Sequence, residues 1–157
     1  MRVENYFLRY ALPCVYSRRE KPSDLDIEIL EGCIREDAPV NRLKLEELFS
    51  GAIERIRRFS GIQDIWDEQV IEDYFKRQHN LDVINGDGSY VRATRLQKNI
   101  SCVYLAEVLE KNGLWLKVKY KSFDGKDEER QVNGEFINAD VSDKVYIHFF
   151  HAVELER

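Results

Sequence analysis

The stretch SCVYLAEVLEKNGLWLKVKYK, residues 101–121, carries the period that decides the fold. Val103, Leu105 and Glu107 fall on one side of an extended chain. Tyr104, Ala106 and Val108 fall on the other, because successive strand side chains point to opposite faces. Asn112-Gly113 is a hairpin signal, since both residues tolerate the positive φ of a tight two-residue turn. Beyond it Leu114, Leu116, Val118 and Tyr120 alternate with Trp115, Lys117, Lys119 and Lys121, the pattern of a half-buried strand with one wet face.

Working downstream, Asp124-Gly125 makes a second turn and Arg130-Gln131-Val132 reads as a third strand. Residues 145–154 read as one last strand, with Val145, Ile147, Phe149, His151 and Val153 on one face. Four or more short antiparallel strands must curl or close to bury their apolar faces, and a small SH3-like or OB-like barrel is the economical solution.

Upstream the period becomes helical. Residues 3–12 place Val3, Tyr6, Phe7 and Tyr10 at helical spacing, which predicts a helix ended by Pro13; the Tyr and Phe content makes a strand the competing reading. Ser23 predicts an N-cap, with Asp24, Asp26 and Glu28 at the positive end of the helix and Leu25, Ile29, Leu30, Cys33 and Ile34 as its apolar face. After Ala38-Pro39, Asn41 caps a single long helix carrying Leu45, Leu48, Phe49, Ala52, Ile53, Ile56 and Phe59, which Ser60-Gly61 terminates. Asp64 or Asp67 caps a further helix with Trp66, Val70, Ile71, Tyr74 and Phe75, expected to fade near His79-Asn80. Asn85-Gly86-Asp87-Gly88-Ser89 is turn chemistry inside a connection. The expected fold is therefore α+β: a helical region 1–80 with three or four helices, a connection 81–99, and an antiparallel barrel 100–157.

The 43% hydrophobic and 34% charged composition is that of a globular chain with a highly charged surface. Lys and Arg number 13 against 16 Asp and Glu in residues 1–80, and 11 against 13 after them, within a net charge of −5. Neither half is basic, which argues against nucleic acid as a partner. The local groups Arg18, Arg19, Lys21 and Arg55, Arg57, Arg58 read as solvated faces. No apolar stretch approaches the roughly 20 residues that span a bilayer, so no membrane partner is expected. The three cysteines, Cys14, Cys33 and Cys102, lack CxxC spacing, and their odd number points to free thiols in a reducing cytoplasm.

The β-region resembles the HypC/HupF family. The residues that carry the likeness are CVYLAEV (102–108) with its hairpin, 126–132, ADVSDKV (139–145) and YIHFFHAVE (146–154). Those are small β-barrel chaperones of nickel–iron hydrogenase maturation, whose pattern starts with a cysteine and an apolar strand. It ends with a Gly-Asp turn and a strand of the form V-x-V-H-x-G-F/Y-A-I/L. Asp143 matches the turn Asp, His148 the motif His and Ala152 the motif Ala, so Asp143 and Ala152 are structural-motif residues. Cys102 is internal here, where the family's working cysteine is N-terminal; Ser142 and Phe150 stand at the two motif glycines.

Cys102 and His148 are the candidate site pair. As thiolate and imidazole at one barrel end they could hold a transition metal (Ni, Fe or Zn) or contact a partner; the competing reading is a buried thiol and a hydrogen-bonded strand histidine. His148 and His151 are three apart, which on one strand sets them on opposite faces. His79 reads as a cation at a helix C-terminus. No P-loop, GxGxxG, HExxH or GxSxG motif occurs, and no cysteine has a catalytic signature. The expectation is a non-enzymatic adaptor or assembly factor with a protein partner, a metalloenzyme or its maturation machinery. The alternatives are a small metal-binding protein using Cys102 and His148, and an OB-like nucleic-acid module stacking bases on Tyr104, Tyr120 or Trp115.

Overall fold

In the computed structural model, which describes every residue except Ser17, Arg19 and Glu20, the chain is α+β and divides into two units, Met1–Gln78 and His79–Arg157. Residues 81–99 are not a bare connection: they belong to the second unit and are partly helical. Arg19, from one of the basic groups, lies outside the described residues.

In the first unit, α1 (Val3–Val15) contains Pro13 rather than ending at it. So close to the C-terminus, a proline removes only one intrahelical bond. α2 (Asp24–Glu36) starts where Ser23 predicts, the Ser23 hydroxyl accepting from Asp26 N–H at 3.1 Å. Its buried residues are Ile27, Leu30 and Ile34, while Leu25 and Ile29 face solvent. The apolar stripe is thus rotated from the expected one, with Ile27 in place of Leu25 and Ile29.

Asn41 caps α3 (Arg42–Leu48) by accepting from Leu43 N–H at 2.9 Å. The expected long helix breaks at Phe49, which has φ −120 and ψ 30, before α4 (Ser50–Ser60) resumes. The break turns the Phe49 ring fully into the core, edge-on to Phe7 at 5.7 Å. Gly61 closes α4 at φ 70, a left-handed conformation that glycine adopts without strain. α5 (Glu68–Asp73) is capped by Asp67, whose carboxylate accepts from Gln69 and Val70 N–H. A π-turn over Tyr74–Gln78 then buries Tyr74 and Phe75. Phe7 is the centre of this core, edge-on to Phe49 and Trp66 and tilted against Phe75, with Tyr10 stacked on Phe75 at 5.1 Å.

The second unit opens with α6 (His79–Asn85), so helical backbone does not fade at His79-Asn80. α7 (Arg95–Ser101) carries a full capping box, Thr94 and Gln97 bonding each other's backbone. β1 (Tyr104–Asn112), β2 (Trp115–Lys121), β3 (Asp127–Asn133), β4 (Lys144–His148) and β5 (His151–Leu155) form a closed barrel in the order β1-β2-β3-β5-β4. Tyr104, Ala106 and Val108 face Leu116, Val118 and Tyr120 across its interior, as the alternation predicts.

Two features depart from the expected barrel. Residues 145–154 are two strands, not one, folded back at Phe149 and Phe150. The barrel is also not purely antiparallel: β3 and β5 close it through a parallel pairing, Asn133 with His151. At Gly134 the walls approach so closely that a Cβ would lie 2.9 Å from Leu116 Cδ1.

Candidate functional site

Inward positions on β3 are Glu128, Arg130 and Val132, so the alternation that seals one end of the barrel delivers two charges to the other. Arg130 donates to Phe149 O at 2.7 Å, to Asn99 O at 3.1 Å and to Tyr120 Oη at 2.9 Å. Its guanidinium also lies over the Tyr120 ring, 4.8 Å from the centroid. Asn99 Nδ2 donates to Tyr120 Oη and Glu128 Oε2, and Tyr104 Oη donates to Asn99 Oδ1. Arg95 donates to both Asp124 and Glu128 and holds their carboxyls below the usual carboxylate range.

Cys102 belongs to this end. Its side chain lies in the barrel core cluster and is a hydrogen-bonding partner of Tyr104. Burial pushes its thiol up to about 11, so it is protonated at neutral pH. Burial likewise pushes the Cys14 thiol, in the first unit, up to about 12. In the metal-free chain Cys102 is therefore a buried, protonated thiol packed against the barrel core. Iodoacetamide at pH 8 is expected to alkylate Cys102 roughly 100-fold more slowly in the folded chain than in urea. Peptide mapping by mass spectrometry measures this, and equal rates would contradict the placement.

His148 is placed differently. Tyr104 pairs with Ile147, and both face the core; His148, one residue on, turns to the other face of the wall. There its ring is fully buried and meets His79, centroids 4.9 Å apart and planes at 84°. The two side chains have different partners: Cys102 is hydrogen-bonded with Tyr104, and His148 meets His79. His79 begins α6 instead of ending a helix, which removes the dipole role expected for it. Asn80 beside it is clamped to β1: Asn80 Nδ2 donates to Val103 O and Val103 N–H donates to Asn80 Oδ1, both at 2.7 Å.

His148 and His151 are cross-strand partners flanking a turn, not neighbours along one strand. His151 stacks on Phe136 at 5.5 Å and lies 3.9 Å from Glu135 Oε1. The turn between them is fixed from three sides. Phe149 N–H donates to Ile100 O at 3.1 Å, Arg130 to Phe149 O, and Asn133 N–H to Phe150 O at 2.7 Å. Phe149 holds φ 52, a conformation rare for a bulky residue.

Asp143 organises the preceding turn, its carboxylate accepting from Asp140 N–H at 2.8 Å while its carbonyl accepts from Val108 N–H. Ser142 takes φ 75, the region glycine favours. Ala152 is fully buried in the barrel core.

On the outside, Trp115 and Phe150 are 52% and 50% exposed and Leu114 is 59% exposed. Tyr104 and Tyr120 face inward and stack on each other at 4.8 Å, so neither offers a face to a nucleic-acid base. Of the basic groups, Arg57 pairs with Glu46, Arg58 with Glu54, and Arg18 donates to Leu48 O. Among the described residues no helix is long and apolar enough to cross a membrane.

No family model matches the chain, and no curated protein or solved structure matches it.

Proposed function

We propose that the chain is a non-enzymatic adaptor or assembly factor that docks a partner protein through its barrel. The partner class is the one that the resemblance to HypC chaperones implies: a metalloenzyme or its maturation machinery. The observation that carries this reading is the aromatic rim. Trp115 pairs in register with Asn133, and Asn133 N–H donates to Phe150 O, so two half-exposed aromatics sit on adjoining backbone. Leu114 extends the patch. Large rigid aromatics on a surface are the residues that dominate protein interfaces, because they bury much area at small entropic cost.

The test compares the wild type with a Trp115→Ala/Phe150→Ala double variant as baits in native lysate, followed by identification of what is retained. The expected result is a metalloenzyme subunit or maturation factor held by the wild type and by Cys102→Ser. Retention should fall at least about tenfold on the double variant, matching the loss of one hot spot of about 1.4 kcal/mol or more. Equal retention by wild type and double variant, or a wild type that retains nothing, rejects the reading.

A further inference from the structure

We infer that His79 and His148 form a binding site for a borderline divalent transition-metal ion. The two imidazoles belong to one unit, are 3% and 0% exposed, and have candidate donor nitrogens within 4.8 Å of each other. Two imidazole nitrogens on one tetrahedral ion, each about 2.0–2.1 Å from it, stand about 3.4 Å apart. A modest rotation of either ring therefore brings both to bonding distance.

Both carriers are held in place. Asn80 fixes the first turn of α6 onto the backbone of Val103, and the hydrogen bonds to Ile100, Arg130 and Asn133 fix the turn after His148. Backbone already ordered before the ion arrives is what a binding site requires. Each ring also has two nitrogens, so one can ligate while the other keeps a hydrogen bond that orients it.

The donor chemistry sets the class of ion. Neutral imidazole suits zinc, nickel, copper and iron(II), whereas magnesium and calcium take oxygen ligands. The two imidazoles supply two of the four positions that a tetrahedral ion fills. The inference is independent of the docking rim, whose residues it does not use.

The test uses the full chain without a histidine tag, stripped with chelator and titrated with Zn(II), Ni(II) and Co(II) under equilibrium dialysis. The expected result is one ion per chain. His79→Gln and His148→Gln should each weaken binding at least about tenfold, while His151→Gln and Cys102→Ser leave it unchanged. Failure to retain one equivalent at free metal on the order of 10 μM overturns the site, as does unchanged affinity in both glutamine variants. Should those variants fail to fold, X-ray absorption on the wild-type Zn(II) complex decides. Scattering from two imidazoles supports the pair, and scattering from one or none refutes it.

Discussion

Phe7→Ala is expected to remove about 3–5 kcal/mol from the stability of the first unit, among the largest effects of any single truncation in the chain. The ring is fully buried at the point where Phe49, Trp66 and Phe75 converge. Truncation deletes the transfer energy of the ring and also the edge-to-face contacts. The cavity left behind is lined by stiff aromatics on different elements, which cannot collapse into it cheaply. For a unit of this size each kcal/mol moves the melting midpoint by roughly 4–8 °C, so the loss is visible by calorimetry. Trp66 fluorescence is the second probe, because its indole loses a neighbour at 5.5 Å. Leu43→Ala, at a side chain that is 75% exposed, is the control and should stay within about 0.5 kcal/mol. A Phe7→Ala midpoint indistinguishable from that control would refute this account of the core.

The second large effect belongs to the barrel. Arg130→Met keeps the aliphatic stem and removes the donors to Phe149 O, Asn99 O and Tyr120 Oη. Two carbonyls lose their charged donor and Glu128 loses a cation on the same strand face. Hydrogen bonds to a charged group are worth about 1.5–3 kcal/mol, and orphaned acceptors cost more than the bonds returned. The expected loss is about 3 kcal/mol in urea unfolding. Arg130→Lys should recover little of it, because one ammonium cannot span three acceptors that a planar fork reaches together. If Arg130→Lys unfolds with the wild type, the fork geometry is irrelevant and the argument fails.

What the sequence revealed, and what it hid, follows from the range of the interactions involved. Ser23, Asn41 and Asp67 cap the helices they were expected to cap, since a cap is settled by residues two or three apart. The inward set Tyr104, Ala106 and Val108 was legible for the same local reason, and so was the β1–β2 hairpin, although its turn is Gly113-Leu114, one residue on from Asn112-Gly113. Phe49 and Phe149 were not. Each bends the chain without glycine, proline or asparagine, and each is held by tertiary packing or by hydrogen bonds from distant residues. Missing the bend at Phe149 placed His148 and His151 on one strand, when the fold-back makes them opposite partners. Of the candidate residues, Asp143 lies in a turn and Ala152 in the barrel core. The partner His148 meets, His79, comes from a helix whose extent the sequence did not announce.

The closure of the barrel by a single registered parallel pair, Asn133 with His151, has a kinetic corollary. β1, β2 and β3 are consecutive and joined by short turns, so their meander can assemble through local contacts at little loop-closure cost. β4 and β5 form a hairpin of their own and reach the meander along β1 and at that seam. Joining the two pieces is the long-range event, and the seam is the last bond line to form and the first to part. The turn that follows His148 lies beside it. The time that seam spends parted therefore sets how often this part of the wall exchanges with its surroundings.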